Sequence, residues 1–600
     1  MPIEKLCMST RFVKNAISGQ VKKIMNKIYP IYLNKKSPCY SVDQLGNKGC
    51  PAHSDIARFV YSINIGEHAQ AFNILKETNP FSGGCGRFCD HPCETACNRA
   101  KFDGAVDIKY LERFASDYGY ENNIMGEPVK ERKGKSVGII GSGPAGLACA
   151  YFLARNGYDT VVYERHQEAG GILREGIPSF RYPKEIREYE LKYIESFGVE
   201  IKCGSLVDGD FLMKLIEEHD GVIVATGAQK PRKMGISGDE LPEVKVGFEF
   251  LRDLSFDPDF VKGNYKGILD KLGLGQEVAI IGGGYTAFDV ARSVVRLGGS
   301  PSVFYRRGMD EMTAHPGEVE EAQEEGVRFD FLTAPTEIKK GSDGRLEMVL
   351  QKMRLGEPDE SGRRRPLPIE GSQYSVQVDN VVTAIGETPE LDFIPGDFKI
   401  DGFRLIIEKL SQEQKSKVFI SGDALQESSS ATGMVVRAVG LAQETCVELR
   451  NFLGESVEKV NYEENIAYYD SIKTRYFPVE SRVRIDKLSF DDRKGNFKEV
   501  DLALSVELAM TKAGRCWNCG ICIQCDWCRD YSNQAILKLS VPWNPVKTSH
   551  FYKFIKEKVD FSTRDSVSGC PRNAMALVPG DETWKGQIDK QYISIESIKY

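Results

Sequence analysis

Nowhere in the 600 residues does an apolar run approach the ~20 residues that a membrane-spanning helix needs, and the first residues hold no secretory apolar core. There is no surplus of positive charge either. The chain sets 79 Lys and Arg against 86 Asp and Glu, a net charge of −7, which supplies no basic field for nucleic acid. These absences exclude a helical membrane channel and an electrostatic nucleic-acid binder, and they lead us to expect a cytoplasmic protein without a membrane span. What is present is 41% hydrophobic and 28% charged, ordinary for domains with real cores. At about 150 residues per domain the chain is too long for one core and predicts roughly four.

The sixteen cysteines are clustered. Six lie from Cys39 to Cys97 and six from Cys516 to Cys570, which leaves Cys7, Cys149, Cys203 and Cys446 as isolated, bland thiols. In a large chain without a secretory signal, such grouping points to metal or redox centres rather than to a disulfide framework. Before the first group, residues 1–38 hold one amphipathic helical pattern. Ile17, Val21, Ile24 and Ile28 share a face, with Lys14, Lys22, Lys23 and Lys27 nearby. Packing on another domain or subunit suits it better than a membrane surface, because no second anchor accompanies it. Residues 39–133 read as helical segments around the cysteines, closed by a polar linker at 126–134.

From residue 135 apolar strand runs alternate with glycine turns and helical patterns, at 137–140, 161–163, 221–225, 278–281 and 301–305, which predicts parallel α/β architecture. The first run leads into Gly141-Ser142-Gly143-Pro144-Ala145-Gly146. Glycines there let backbone amides and a helix N-terminus approach a pyrophosphate. Glu164 closes the next run, at the separation where an acid holds a ribose hydroxyl. A tight turn without a ligand is the bland alternative. The second fingerprint is Gly282-Gly283-Gly284-Tyr285-Thr286-Ala287, with Ala287 still small enough for close helix–strand packing. Its following strand ends in Phe304-Tyr305-Arg306-Arg307 instead of an acid. A forked guanidinium suits a 2′-phosphate, so Arg306 and Arg307 favour NADP over NAD; a solvated arginine pair is the other reading.

Two fingerprints imply two dinucleotides, one of them a resident flavin. Thr226-Gly227 and Ala384-Ile385-Gly386 look like strand ends that cross between domains. Gly422-Asp423 follows the apolar run 418–420 and precedes a small-residue helix over 432–442 whose start, at Gly433, faces the flavin ring. Asp423 suits the ribityl or phosphate part of that flavin, or is an ordinary helix cap.

With these motifs the chain resembles the small-subunit family of NADPH-dependent glutamate synthase and the related large subunits of ferredoxin:NADP transhydrogenases. The resemblance spans residues 39–455 and includes Gly170-Gly171-Ile172-Leu173, Arg181-Tyr182-Pro183, Tyr305-Arg306-Arg307 and Ala314-His315-Pro316-Gly317-Glu318. It implies two nested Rossmann-like domains: an FAD domain in two segments, 134–230 and 375–455, and an NADPH domain, 231–374, inserted between them. Gly171 and Leu173 join the FAD residues. A helical iron–sulfur domain at 39–133 stands in front, a linker follows at 456–513, and 514–600 forms a small α+β ferredoxin-like domain.

In the first cysteine group, Cys85, Cys89, Cys93 and Cys97 are spaced four apart among Gly84, Gly86 and Pro92, breakers that favour a loop wrapped around a centre. Zinc is one occupant; a [4Fe–4S] cluster suits a flavin better, because it offers a one-electron outlet. The resemblance implies a flavin-proximal cluster on Cys50, Cys89, Cys93 and Glu112, the last an unusual carboxylate ligand. The family's opening Cys-x2-Cys is absent here, and a second cluster retains only Cys39 and Cys97, with Cys85 as a substitute. The C-terminal run resembles a two-cluster ferredoxin module that has lost one cluster. Cys522, Cys525, Cys528 and Cys570 form one complete set, and Ser532 stands where a further cysteine would be. Cys516 and Cys519 are left unassigned, as zinc ligands, further cluster ligands or buried thiols.

These readings predict an oxidoreductase with FAD, NADP (NAD as the alternative) and two [4Fe–4S] clusters. Hydride would pass from NADPH to FAD, and single electrons to the N-terminal cluster. The C-terminal cluster would serve ferredoxin or another subunit of a hetero-oligomeric complex, and no acid–base residue is required. A glutamate synthase small subunit is the rival within the class, against which the appended tail argues. A disulfide reductase would need Cys-x-x-Cys beside the flavin, and none occurs between residues 134 and 453. A scaffold that kept the fold and lost electron transfer is the rival from another class.

Overall fold

Runs of Val and Ile at Ser136–Ile140 and Glu277–Ile281 form the central strands of two parallel sheets in the computed structural model. The structure describes residues 28–32, 35–40, 49–359, 362–425, 433–458, 466–482, 484–520, 527–530, 532, 534–538, 552–579 and 582–593. The first sheet has seven strands, in the order Phe398–Asp401, Arg404–Ile407, Val418–Ile420, Gly221–Val224, Ser136–Ile140, Asp159–Tyr163 and Glu200–Lys202. It is parallel except at its antiparallel edge, from Arg404 outward. The second has five strands, all parallel: Arg328–Phe331, Ser300–Tyr305, Glu277–Ile281, Asn380–Thr383 and Val244–Val246. Helices cover the faces of both, which is why their strands are near-continuous apolar runs rather than alternating ones.

Asn380–Thr383 moves one expected boundary. Sequence placed these residues in the second segment of the first domain, from 375; they pair on both sides inside the second sheet. The crossing back follows at Glu387–Pro389, antiparallel to Ala228–Pro231. The insert also carries an antiparallel sheet of Thr333–Lys340, Leu346–Pro358 and Arg364–Val378.

In front of the sheets stand helices Ile56–Asn64, His68–Thr78, Ser82–Phe88, Pro92–Ala96 and Ile108–Glu121. The expected loop around Cys85 to Cys97 is instead two short helices and a 3-10 turn, Asn98–Lys101. Gly84 and Gly86 do not break Ser82–Phe88; a Cβ at Gly84 would press on the Phe88 ring and one at Gly86 on the backbone of Arg113. Gly86 is small so that the helix can lie close to Ile108–Glu121.

This helical domain and the first sheet share one core, which runs from Phe59 and Phe72 through Tyr151 and Tyr193 to Val439. Inside it Lys76 and Glu190, 2% and 1% exposed, pair at 2.8 Å. Glu190 also accepts the amides of Gly83 and Gly84 and the hydroxyl of Tyr182, so the buried charge is fully hydrogen-bonded.

The expected linker is strapped down. Arg482 pairs with Glu94 and Asp107, Glu499 with Arg87 and Arg113, Lys487 with Glu321, and Arg493 with Glu325. Phe497 packs among Phe180, Phe260 and Tyr265. Beyond it, Ile536–Lys538, Tyr552–Ile555 and Tyr592–Ile593 form a small sheet beside helices Phe561–Gly569 and Glu582–Gln591. At the other end Ile28 opens a strand, Ile28–Tyr32, antiparallel to Met575–Pro579, and is not part of a helix. Pro30 and the β-favouring Ile and Tyr residues explain the difference. The rest of that amphipathic pattern lies outside the described residues. No helix among the described residues is long and apolar enough to cross a membrane.

Candidate cofactor sites

The first glycine turn sits where strand Ser136–Ile140 meets helix Pro144–Arg155. Gly141 has φ 100°, and a Cβ there would press on the Ala225 carbonyl oxygen; one at Gly146 would overlap the Gly141 carbonyl oxygen. Both glycines are therefore demanded by close approach. Gly143, at the helix N-cap, has open space on its Cβ side, as do Gly227 and Gly433. Gly171 folds over this turn, so that a Cβ would come 2.8 Å from Gly143 Cα, and buried Leu173 anchors the short helix that follows. Gly422, just past strand Val418–Ile420 two places along the sheet, meets it with its Cβ position 2.6 Å from that of Ala145.

Glu164 is 5% exposed and holds the turn in shape: Oε2 accepts the Ser142 amide (3.0 Å) and hydroxyl (2.6 Å), and Oε1 the His166 amide (2.8 Å). A carboxylate has lone pairs left for a ribose hydroxyl. Asp423 accepts the Gly433 amide at 3.2 Å instead of capping a helix. Burial raises its pKa, partly opposed by that amide and by Arg437. The helix expected from 432 begins at Val435 and runs to Phe452; residues 426–432 lie outside the described ones. Thr226 Oγ1 is buried with no hydrogen-bond partner among the described residues, at the strand end beside Gly141. An orphaned hydroxyl beside an open glycine cradle fits a bound dinucleotide, since unpaired buried polar groups are costly.

The second turn repeats the arrangement. A Cβ at Gly282 (φ 153°) would overlap the Ala384 carbonyl oxygen, and one at Gly283 would strike the Tyr305 ring. Gly284 is open except for Thr313 Oγ1 at 3.4 Å. Tyr285 and Thr286 are half-buried at the start of helix Tyr285–Arg296, and Ala287 is buried against the sheet. The arginine pair is split. Arg307, 6% exposed, pairs with Asp359 at 2.6 Å and donates to the Arg364 carbonyl at 2.9 Å. Arg306 is exposed and faces outward beside it.

Two family motifs meet at this helix. Arg181 pairs with Asp289 at 2.9 Å and Glu318 at 3.0 Å and lies over the Tyr285 ring at 5.1 Å, while Tyr285 Oη accepts the His315 amide. Burial lifts the Asp289 carboxyl to about 6, against the pull of Arg181. Arg181 thus couples the first domain to the second.

The thiols fall into three groups. Cys50, Cys85, Cys89 and Cys93 surround Glu112. Burial raises all four, and Glu112 adds to each. Cys50 acts on Cys89 and Cys93, and Cys89 acts on Cys85. Burial also lifts Glu112 to about 8, although Asn79 donates to it at 3.1 Å. Groups so buried favour their neutral forms when alone and ionise only beside added positive charge, as metal ligands do. Cys85 lies beside Cys89 and Glu112. The second group holds Cys39, where burial raises the thiol well above its ordinary value and Cys97, Cys516 and Cys519 add to the rise. Cys528 and Cys570 share a small core with Ile536, Tyr552 and Phe554. Cys522 and Cys525 lie outside the described residues, and Ser532 is buried with its hydroxyl on the Arg529 carbonyl.

Sequence reasoning missed what joins the first group to the first turn. In helix Val435–Phe452, a Cβ at Gly440 would overlap the Pro51 carbonyl oxygen, and Gln443 donates to the carbonyls of Ala52 (2.9 Å) and Thr78 (2.8 Å). The run of small residues was the visible sign; its partner, nearly 400 residues away, was not.

Comparison with known proteins agrees with this arrangement. Residues 135–444 match the pyridine nucleotide-disulphide oxidoreductase family, and residues 33–124 match the family described as dihydropyrimidine dehydrogenase domain II, 4Fe-4S cluster. Among curated relatives, NADPH-Fe(3+) oxidoreductase subunit beta of Geobacter sulfurreducens is 34% identical over 514 residues, covering 78% of this chain and 74% of its own. NADP(+)-dependent formate dehydrogenase subunit beta of Moorella thermoacetica is 32% identical, covering 79% and 70%. The glutamate synthase [NADPH] small chain of Escherichia coli is 32% identical, covering 67% and 87%. Two dinucleotide turns joined through one helix to a buried group of thiols, together with these likenesses, make the chain a flavin- and iron–sulfur-dependent oxidoreductase of the pyridine nucleotide-disulphide oxidoreductase family.

Proposed function

We propose that the chain carries electrons from NADPH through FAD to iron–sulfur centres, and from there to a ferredoxin or a partner subunit of a hetero-oligomeric complex. The observation that carries this reading is that helix Val435–Phe452 packs on helix Pro144–Arg155 of the first glycine turn and, through Gly440, on Pro51 beside Cys50. FAD and [4Fe–4S] clusters, when bound, supply the conversion of a two-electron donor into single electrons.

The chain's own groups position and tune. The amides from Ser142 to Gly146 and the N-terminus of Pro144–Arg155 receive the FAD pyrophosphate, Glu164 a ribose hydroxyl, and Thr226, Gly227, Asp423 and Gly433 the parts nearer the ring. Gly282, Gly284, Tyr285, Thr286 and Ala287 receive the NADPH pyrophosphate, with Arg306 on the 2′-phosphate. Arg307 keeps the loop behind it in place. Cys50, Cys89, Cys93 and Glu112, with Cys85 among them, hold the flavin-side cluster. Cys522, Cys525, Cys528 and Cys570 hold one in the C-terminal domain.

The test is anaerobic titration of the purified full chain with NADPH while the visible spectrum is followed. Bleaching of flavin bands together with a broad iron–sulfur shoulder is expected. A colourless, metal-free protein would leave only the scaffold reading.

A further inference from the structure

The geometry points to a further [4Fe–4S] centre, ligated by Cys39 and Cys97 from the N-terminal domain and by Cys516 and Cys519 from the segment that opens the C-terminal domain. It rests on the reading of the chain as an iron–sulfur protein, and it gives a role to two cysteines that no ferredoxin motif uses.

Three strands of contact bring these residues together. Asn98, next to Cys97, donates its side-chain amide to the Ala467 carbonyl at 2.7 Å, and that amide also lies beside the Cys519 thiol. Arg99 donates to the Arg515 carbonyl at 2.5 Å and lies 5.7 Å from the Trp517 ring, so Cys97 is clasped to the segment 515–519. The Cys39 segment closes the ring from the other side: the Lys36 carbonyl accepts the Ala467 amide at 2.9 Å, and a Cβ at Gly520 would overlap the Lys35 carbonyl oxygen. Gly520 is glycine so that residue 35 can lie against the chain next to Cys519. Arg515, buried, fixes this packing through the carbonyls of Ala105 and Gly104 and an ion pair with Asp103.

The backbone around the thiols is a second, independent observation. Seven non-glycine residues have positive φ among the described ones, and four of them follow a cysteine by two or three residues: His53, His91, Asn518 and Asn573. Positive φ is costly for such residues and marks a built feature. His91 donates its amide to Cys89 Sγ at 3.4 Å, and Asn518 does the same to Cys516 Sγ at 3.4 Å. Cys570 has another turn, in which the fourth residue on, Ala574, donates its amide to sulfur at 3.3 Å, and Ser54 stands at the same place after Cys50. Cys516 thus carries the same amide-to-sulfur turn as Cys89 of the flavin-side group. Such hydrogen bonds stabilise thiolate ligands and set cluster potentials. Beside it the Trp517 indole N–H, 2% exposed, has no partner among the described residues.

Among the described residues no three His, Cys, Asp or Glu side chains converge tightly enough for one shared ion. Four thiolates supply a complete ligand set for a four-iron cluster, and the iron and zinc counts below separate that occupant from zinc. The centre lies between the other two: one turn of helix Pro92–Ala96 separates Cys93 from Cys97, and the Gly520 amide bonds the Arg572 carbonyl two residues past Cys570.

The test uses the anaerobically purified full chain, with iron, zinc and sulfide counts and EPR after dithionite reduction. The double variant Cys516→Ser/Cys519→Ser should lose about four irons and one EPR signal while NADPH still reduces its flavin. Cys97→Ser should lose the same irons, and combining all three should lose no more. Cys519→Asp, which keeps an anionic ligand and disturbs folding least, should retain its iron with one altered signal. Unchanged iron and unchanged signals in these variants, or zinc in place of iron in the wild type, would overturn the centre and leave the proposed function standing. Wild type without any iron would overturn both.

Discussion

At the scale of single residues, the two neighbouring arginines have different work. Arg306 is exposed at the strand end, whereas Arg307 is spent on Asp359 and the Arg364 carbonyl. A charged hydrogen bond to the 2′-phosphate contributes about 2 kcal/mol, so Arg306→Ala should raise KM for NADPH ~30-fold and leave NADH nearly unaffected. Arg307→Ala should instead lower thermal stability with a smaller effect on the NADPH to NADH ratio. Steady-state kinetics with both nucleotides checks this, and an equal loss with both in Arg306→Ala would contradict it. That the pair stands where a discriminating group belongs was legible in the sequence. Which member is free was not, because Asp359 lies 52 residues along the chain, across a long antiparallel excursion. The same holds for Thr226: its place after a strand was visible, but its unpaired hydroxyl depends on what the neighbouring strands leave open.

At the scale of elements, one helix couples the first glycine turn to the Cys50 turn, and one buried ion cluster ties the insert to the strap. Gly440 lets Val435–Phe452 lie against Pro51, and Gly440→Val would push the helix off the Cys50 turn at a cost of about 1–3 kcal/mol. NADPH should still bleach the flavin in this variant, while stopped-flow reduction of the iron–sulfur absorption should slow at least tenfold. Unchanged rates would show that the helix is packing alone. In the insert, Glu325 is 1% exposed and meets Arg292 and Arg296 at 2.8 Å and Arg493 at 3.4 Å. Glu325→Gln leaves three buried guanidinium groups short of charge and should cost about 3–5 kcal/mol. Its exposed neighbour Glu324→Gln should cost under ~0.5 kcal/mol, and thermal unfolding of the two variants compares them. The strand runs and both glycine turns were legible because local rules fix them. The helices of the cysteine domain were not: Gly84 and Gly86 read locally as breakers, and the close approach of Tyr182 and of the Arg113 backbone that favours glycine there is not visible in the local sequence. The strap over 466–514 read as a charged linker for a similar reason, since its charges find partners up to about 400 residues away.

At the scale of the molecule, the chain orders its sites in a row. The insert sits across Arg181 from the first domain, the first domain lies against the thiols around Glu112, and Cys93 of that group lies one helical turn from Cys97. The C-terminal segment returns to the N-terminal domain through Arg515, Lys512 and Arg482, and Ile28–Tyr32 pairs with Met575–Pro579. Ile28–Tyr32 and the described C-terminal segment are therefore tied to one another and to the N-terminal domain. Severing that tie with Arg515→Ala should release the C-terminal segment to limited proteolysis, whereas the nucleotide domains stay intact on the same gel; equal protection would contradict the tie.

The central claim is that one chain takes electrons from a nicotinamide and delivers them singly to buried thiol-held iron. EPR of the anaerobic full chain, frozen after addition of NADPH alone, tests it most directly. The account predicts signals of reduced iron–sulfur clusters that are absent before NADPH is added. A spectrum that stays silent while dithionite does produce those signals would contradict it.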